Sequence, residues 1–258
     1  MIDIHSHILP GLDDGSRSLE ESVAMARMAA EAGTTDIVAT PHANLQYAFD
    51  PELVERKIAE LAEACEGAPR IHYGCDFHLH YDNLQDALAN PAKYAVNHKR
   101  YVLVEVSELL MIKSADEALE RMRSTGMIPI ITHPERNGML QRRMDKLEAW
   151  VAEGCCLQLT AQSLRGGFGR RARKFSWELL HRGLVHFVAS DSHDAVDRPP
   201  RLDEAYRWVL EELGPAQAAR LFDGNPSAVL AGEPLPVGGG ERTRPPRRWW
   251  RLWTRFPQ

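Results

Sequence analysis

Short runs of β-branched and aliphatic residues alternate along this chain with longer stretches in which apolar residues recur at helical spacing. The short runs predict seven strands, at residues 2–4, 36–40, 71–75, 101–106, 127–131, 156–160 and 185–189. Strands that alternate with amphipathic helices are typical of βα units around a parallel sheet or barrel. The pattern therefore predicts an α/β fold with parallel strands.

Helix-start and helix-stop signals lie between the predicted strands. Capping boxes at residues 18–21 and 114–117, and an Asp-Pro pair at residues 50–51, predict three helix N-termini. Gly33 and Gly126 predict helix ends. Later helices are predicted over residues 172–181, 201–212, 215–222 and 226–230.

The composition changes sharply near residue 230. Residues 233–258 contain a Gly-Gly-Gly run and then ERTRPPRRWWRLWTRFPQ, with six arginines and three of the chain's six tryptophans. We therefore predict one domain over residues 1–232, followed by a Gly/Pro/Arg/Trp-rich tail over residues 233–258 that is disordered. The alternative for the tail is peripheral contact with an anionic membrane surface through its arginines and tryptophans.

Charge, leader and cysteine content narrow the class of protein. The net charge of −5 argues against a nucleic-acid partner, because such binding ordinarily needs a basic surface. No signal-peptide pattern and no run of about 18 apolar residues occurs, so we expect a cytoplasmic protein. The four cysteines form no CxxC pair, which favours reduced, buried thiols.

The strongest chemical signal is His5-Ser6-His7, at the end of the first predicted strand. Residues i and i+2 of an extended chain point to the same side, so the two imidazoles can converge on one metal ion. An HxH pair alone is weak evidence, because polar pairs also occur on strand surfaces.

Other acidic and histidine residues fall at equivalent places near the ends of later strands. They are Asp13, Asp14, His42, Asp76, Glu105, His133, Glu135, Asp191 and His193. In a parallel barrel all strand C-termini open on one face, so these side chains are expected to meet in one cleft. Crowded carboxylates need cations to stay ionised. Mixed nitrogen and oxygen ligands without thiolate favour manganese, iron or zinc.

The ordered motifs DIHSHILPGLDDGS, ATPH, GCDFHL, LVEVS, THPERN, ASDSH and a final NP lie within residues 1–230. With them the chain resembles the PHP (polymerase and histidinol phosphatase) superfamily, and within it the bacterial metal-dependent protein-tyrosine phosphatases of capsule and exopolysaccharide biosynthesis. The resemblance implies a distorted (β/α)7 TIM-like barrel with three metal ions, manganese foremost. It also implies that the substrate is a tyrosine-phosphorylated bacterial tyrosine kinase.

The same resemblance implies three ligand sets. His5, His7, Asp76 and Asp191 would hold one ion, Asp76, Glu105 and His133 a second, and Asp14, His42 and His193 a third. Asp76 departs from the pattern, because the bridging position is commonly filled by glutamate, which is one methylene longer.

The chemistry expected of such a site is hydrolysis of a phosphomonoester by a metal-activated hydroxide, without a covalent enzyme intermediate. Arg136, three residues after His133, and Arg198, five residues after His193, are placed to bind the phosphate. The alternative is that each is a surface or ion-pair arginine. The sequence has no C-x5-R phosphate loop, P-loop or GxSxG turn, which disfavours the reactions that use them.

Three functions stay open at this level. The first is a protein-tyrosine phosphatase, and the second is a small-molecule phosphatase of the histidinol phosphate type or another PHP phosphoesterase. The third is a non-catalytic metal-binding adaptor. Among the remaining histidines, His78 and His80 follow Asp76 with period two and could line the rim of the site, and His78 is the next one to test.

Overall fold

Nine β-strands form within residues 1–107 and 112–235, which are the residues that the computed structural model describes. They are β1 (Ile2–Ser6), β2 (Asp36–Ala39), β3 (His42–Ala43), β4 (Arg70–Tyr73), β5 (Asp76–His78), β6 (Tyr101–Glu105), β7 (Ile128–Thr132), β8 (Cys156–Thr160) and β9 (Phe187–Ala189). All seven predicted strand segments are therefore present, and two further short strands, β3 and β5, follow β2 and β4.

Both short strands begin just after a break in a longer one. Pro41 lies between β2 and β3 and has no backbone N–H to donate to a neighbouring strand. Gly74 lies between β4 and β5, where an added Cβ would come within 2.5 Å of Val38 Cγ1 on β2. The two breaks let the chain turn, so that His42 and Asp76 begin strands of a different sheet from β2 and β4.

Eleven α-helices occur in the same described ranges. They are α1 (Leu19–Glu31), α2 (Pro51–Ala64), α3 (Tyr81–Ala89), α4 (Pro91–Tyr94), α5 (Ile112–Ser124), α6 (Met144–Ala152), α7 (Ala161–Arg165), α8 (Gly169–His181), α9 (Asp203–Leu213), α10 (Pro215–Ala219) and α11 (Asn225–Ala231). A π-helical turn at Arg220–Gly224 joins α10 to α11, where the sequence predicted a helix over residues 215–222.

Two predicted helix starts are confirmed and one is wrong. The Ser18 side chain accepts a hydrogen bond from Glu21 N before α1, and Asp50 Oδ1 accepts from the N–H groups of residues 52 and 53 before α2. Ser114, by contrast, lies inside α5, which already includes Ile112. The S-x-x-E pattern there is part of a helix interior, and the buried face of α5 is set by Ala115 and the apolar residues that follow it.

The strands form two parallel sheets. One has the order β1-β2-β4, and the other has the order β3-β5-β6-β7-β8-β9. Hydrogen bonds join the first strand to the segment after the last: Asp191 N donates to His5 O (2.8 Å), and His7 N donates to Ser192 O (2.8 Å). The carboxyl ends of the strands from both sheets therefore lie together.

The apolar core has one part that draws on strands of both sheets. This inner cluster contains Ile2, Ile4, Val38, Val96, Tyr101, Leu103, Ile130, Cys156, Phe187, Ala189 and Val229. A larger cluster packs the six-stranded sheet against the helices, and a third lies beneath α1 and α2. The inner cluster supports the strand ends from below and so fixes the positions of the polar residues there.

Other predictions can be checked against the described residues. The four cysteines are free and buried, as predicted. Within residues 1–107 and 112–235, none of the helices is long and apolar enough to cross a bilayer. Residues 236–258, which make up most of the predicted tail, lie outside the described residues.

Candidate metal centre

Strand register brings the predicted ligands together at the carboxyl ends of the strands. His42 on β3 is the register partner of Asp76 on β5, and His78 on β5 is the partner of Glu105 on β6. Seven of the nine predicted ligands take part in three clusters of closely spaced donor atoms within the described ranges. The two others, His133 and Asp191, border these clusters.

The first cluster contains His7, Asp14, His42 and His193. Asp14 Oδ1 lies 3.3 Å from His42 Nε2 and 3.5 Å from His193 Nε2. These three residues are the set that the family resemblance gave for the third ion, and His7 lies beside them. Its ring centroid is 4.0 Å from that of His193 and 4.4 Å from that of His42.

The second cluster contains His5, His7 and Asp76, all buried. The Nε2 atoms of His5 and His7 are 3.2 Å apart, as expected for an HxH pair that points to one side of a strand. Asp191 Oδ1 lies 3.5 Å from His5 Nε2 and 3.6 Å from His7 Nε2. Asp191, which the predicted first ligand set includes, thus borders this cluster.

The third cluster contains His42, Asp76, His78 and Glu105. The prediction for this ion named His133, which lies outside the three clusters. The His133 ring instead faces His5, with the ring centroids 5.8 Å apart. His78 was singled out from the sequence only by its spacing from Asp76, and the strand register is what places it beside Glu105.

Neighbouring groups orient the first-strand histidines. His7 Nδ1 contacts Asp13 Oδ2 at 2.6 Å, and His5 Nδ1 contacts Gln158 Oε1 at 3.0 Å. Such contacts fix the ring orientation and leave Nε2 to face the cluster. The sequence motif contained Asp13 without assigning it this role, and nothing in the sequence pointed to Gln158, which comes from the middle of β8.

The Asp13-Asp14-Gly15 turn packs directly on His7. An added Cβ at Gly15 would come within 2.1 Å of His7 O, so only glycine fits there. Asp13 Oδ1 accepts a hydrogen bond from Gly15 N (2.9 Å), and its Oδ2 accepts one from His42 N (3.0 Å). The turn therefore places Asp14 next to the histidines.

Two of the predicted ligands have unusual backbone conformations. His133 has φ of 33° and Asp191 has φ of 51°, in the left-handed region that such residues rarely adopt. Conformations of this kind cost free energy and are found mainly at functional sites. His133 directly follows the end of β7, and Asp191 lies two residues after the end of β9.

The histidines divide into two electrostatic types. Burial lowers the pKa of His5 to about 4. Burial opposes protonation of His7 and His42 as well, yet Asp13 raises the pKa of His7 to about 9, and Asp14 and Asp76 raise that of His42 to about 11. The carboxylates thus stabilise positive charge at this site, which divalent ions would supply.

Several donor atoms are buried without a hydrogen-bond partner. Among the described residues these include both carboxylate oxygens of Asp76, His42 Nδ1 and His78 Nε2. Buried polar atoms are almost always satisfied, and leaving one unpaired costs about 1–3 kcal/mol. The residues present therefore fit a site for divalent ions with nitrogen and oxygen ligands.

Two arginines border the clusters. Arg136 Nη1 and Arg198 Nη2 both donate to Asp191 Oδ2, the latter at 2.7 Å. The Phe168 ring lies against both guanidinium groups, 4.2 Å from Arg136 Cζ and 5.8 Å from Arg198 Cζ. No motif in the sequence indicated Phe168, which acts as a wall for the two arginines.

The chain is similar to members of a known protein family. Residues 1–231 match the family described as "Capsular polysaccharide synthesis, CpsB/CapC". The chain is 34% identical over 210 residues to the putative tyrosine-protein phosphatase CapC of Staphylococcus aureus, covering 80% of this chain and 82% of that protein. It is 34% identical over 218 residues to the tyrosine-protein phosphatase YwqE of Bacillus subtilis, covering 83% and 85%.

A solved structure gives the same result. It comes from work on YwqE of Bacillus subtilis and CpsB of Streptococcus pneumoniae, described as unique metal-dependent tyrosine phosphatases. The TM-score is 0.84 with 31% sequence identity, and the match covers 91% of this chain and 96% of that chain.

Proposed function

Because the chain belongs to the CpsB/CapC family of capsular polysaccharide synthesis, we propose that it is a metal-dependent protein-tyrosine phosphatase. The observation that carries this proposal is the convergence of three clusters of imidazole and carboxylate donors, several of them without hydrogen-bond partners, beside two arginines. The names of its relatives, all tyrosine phosphatases, support the same reaction.

The proposed ligands are the nine residues predicted from the sequence. The first ion would be held by His5, His7, Asp76 and Asp191, the second by Asp76, Glu105 and His133, and the third by Asp14, His42 and His193. Support comes from the contacts of the clusters, including 3.8 Å between His5 Nε2 and Asp76 Oδ2. The nitrogen-oxygen donor set without thiolate suits manganese, iron or zinc, and the family resemblance puts manganese first.

Bound divalent ions would activate water and neutralise charge on the phosphoryl group. The protein's own part is to position the phosphate. Arg136 and Arg198 lie at the edge of the clusters, where their guanidinium groups can donate to phosphoryl oxygens in addition to Asp191. Phe168 limits the orientations of both guanidinium groups by packing on them.

The rim of the site suits a protein substrate. Leu45, Tyr81 and Val196 are large apolar residues that are 87%, 74% and 84% exposed. Each follows a histidine of the clusters by three residues, Leu45 and Val196 on loops and Tyr81 at the start of α3. Exposed apolar side chains around a polar site are typical of a surface that contacts another chain. We infer that a tyrosine-phosphorylated bacterial tyrosine kinase of capsule or exopolysaccharide synthesis, in the cytoplasm, is the substrate.

We further infer that residues 1–232 form a distorted (β/α)7 barrel, with residues 233–258 as an appendage outside the catalytic domain. The inner cluster of apolar residues, drawn from strands of both sheets, supports the barrel. The hydrogen bonds between β1 and the segment after β9 support it as well. The family match over residues 1–231 supports the boundary.

The test is a substrate panel with the full chain. With manganese, we expect hydrolysis of p-nitrophenyl phosphate and of a phosphotyrosine peptide, and loss of both on chelation, with recovery when manganese is restored. A phosphoserine peptide of the same sequence serves as the control. Turnover that persists without metal, or much faster turnover of histidinol phosphate, would contradict the proposal.

A further inference from the structure

We propose that His78 is a further metal ligand, which joins the Asp76 and Glu105 carboxylates at the site of the second ion, with His42 beside them. This inference rests on the proposed metal-dependent function and names a ligand that the family resemblance does not supply. It also gives a role to a histidine near Asp76 that the predicted ligand sets left out.

The sheet register by itself creates this set of donors. β3, β5 and β6 are adjacent parallel strands, in which His42 pairs with Asp76 and His78 pairs with Glu105. Asp76 and His78 are two residues apart on β5, so their side chains leave the same face of the strand. Two neighbouring register pairs thus present four donors on one face. His5 and His7 on β1 likewise point to one side of their strand.

Direct contacts agree with this placement. His78 Nε2 touches Glu105 Oε2, and the ring centroids of His78 and His42 are 5.2 Å apart in an edge-to-face arrangement. His42 Nδ1 lies 2.9 Å from Asp76 Oδ2. One donor atom from each of the four residues lies within 4.8 Å of those of the others, a spacing that a single ion can span.

The state of the polar atoms points to a cation. His78 Nε2 and both carboxylate oxygens of Asp76 are buried and make no hydrogen bond in the described part of the chain. The contact of His78 with Glu105 therefore lacks hydrogen-bond geometry, although the two atoms touch. A nitrogen and several carboxylate oxygens directed at one another in this way are the ligands of a divalent ion.

The backbone holds His78 in this position. His78 O accepts a hydrogen bond from Asn83 Nδ2 (3.0 Å), and Leu79 N donates to Glu105 O (2.9 Å). The backbone directly after His78 is thus fixed relative to Glu105. The imidazole is 27% exposed, so an ion could reach it from solvent.

The short side chain of Asp76 explains why an added ligand is useful here. The family pattern has glutamate at this bridging position, and aspartate is one methylene shorter. Its Oδ2 lies toward His42 and His5, at 2.9 and 3.8 Å. His78 supplies a nitrogen on the Glu105 side, where the shorter carboxylate reaches less far.

The test is a count of bound ions in the full-length protein. Wild-type protein and His78→Ala would be stripped with chelator, dialysed against increasing Mn²⁺, and analysed for metal by mass spectrometry. We expect His78→Ala to hold one manganese ion fewer per chain at the Mn²⁺ concentration that saturates wild type. The affinity of the second site for Mn²⁺ should fall by about 100-fold. This is the upper end of the losses seen when supporting groups of metal sites are removed.

His98→Ala is the matched control, because it removes an imidazole that pairs with Glu55 outside the three clusters. This variant should bind as many ions as wild type. His78→Gln keeps most of the side-chain volume and serves as a second variant in case His78→Ala misfolds. It should show the folded circular dichroism spectrum without metal, and a smaller rise in melting temperature on addition of Mn²⁺ than wild type.

The outcomes separate this inference from the proposed function. If wild type binds manganese and His78→Ala and His78→Gln bind the same number of ions with unchanged affinity, His78 is not a ligand, and the phosphatase proposal still stands. If wild type itself binds no divalent ion, both the His78 inference and the phosphatase proposal are wrong.

Discussion

Two groups of acidic and histidine side chains lie at opposite ends of the parallel strands, and they differ in how their polar atoms are used. At the amino ends, Asp36 Oδ1 accepts from Arg70 Nε (2.7 Å) and contacts His72 Nε2 (2.8 Å), while its Oδ2 accepts from Arg70 Nη2 (2.7 Å) and Thr35 Oγ1 (2.7 Å). At the carboxyl ends, neither oxygen of Asp76 has a hydrogen-bond partner among the residues that the structure describes.

The comparison shows that residue type alone does not mark a metal site. Asp36 with His72 and Asp76 with His42 are both carboxylate-imidazole pairs on neighbouring strands. In the first pair an arginine supplies the positive charge, so each oxygen is satisfied and the group stabilises the fold. In the second pair no arginine of residues 1–107 and 112–235 bonds to Asp76. Its Oδ2 lies 2.9 Å from His42 Nδ1 without a hydrogen bond in that part of the chain, so the buried oxygens can bind a cation.

The difference between Asp76 and Asp36 is tested most strongly by removing the negative charge from each carboxylate. Asp76→Asn should reduce hydrolysis of p-nitrophenyl phosphate with manganese by about 1000-fold or more, because bound ions contribute several kcal/mol of transition-state stabilisation. Steady-state kinetics, with metal content measured on the same samples, would check this.

Asp36→Asn is the control for this prediction, and its hydrolysis rate and metal content should match wild type. It should instead lower the free energy of unfolding by about 1 kcal/mol through loss of charged hydrogen bonds. For a domain of this size that is a decrease of about 2–4 °C in melting temperature. Equal loss of activity in both variants would remove the distinction between the two groups.

The arginines extend the comparison. Arg198→Ala should lower kcat/KM for a phosphotyrosine peptide by about 100-fold, since it removes a donor aimed at the charge of the phosphoryl group. Arg70→Ala removes an arginine that also pairs with a carboxylate, but at the opposite strand ends, and should leave kcat/KM unchanged. An Arg198→Ala enzyme with wild-type kinetics would make Arg198 a structural partner of Asp191 only.

The pH dependence of metal binding tests the charge of the histidines at the carboxyl ends of the strands. The pKa values of about 9 for His7 and about 11 for His42 mean that both imidazoles hold protons at neutral pH before an ion binds, whereas His5, with a pKa of about 4, holds none. Ion binding must displace these protons, so affinity should rise with pH, about tenfold per pH unit for each proton.

Calorimetry in buffers of different ionisation enthalpy would measure this release, and we expect about two protons per chain. His72→Ala should leave the number unchanged, because His72 pairs with Asp36 at the other end of the strands. Affinity for Mn²⁺ that does not change between pH 6 and pH 8 would contradict the assignment of His7 and His42 as ligands.

Much of the fold follows from local sequence. Strand β8 is observed at the predicted residues 156–160, and the other predicted strands differ at their ends by a few residues. Ser18 caps α1 as predicted, whereas Ser114 carries the same pattern inside α5. The capping-box pattern cannot distinguish a helix N-terminus from a helix interior, because burial of the apolar face decides where a helix begins.

The sequence alone determined which donors this protein has and that they follow the ends of its strands, since side-chain alternation and strand position are local properties. It could not determine which donors share an ion. His78 meets Glu105 through the register of β5 and β6, and His133 turns toward His5 through a left-handed backbone. Nor could it separate Asp36 from Asp76, because whether a carboxylate is neutralised depends on residues that only folding brings beside it.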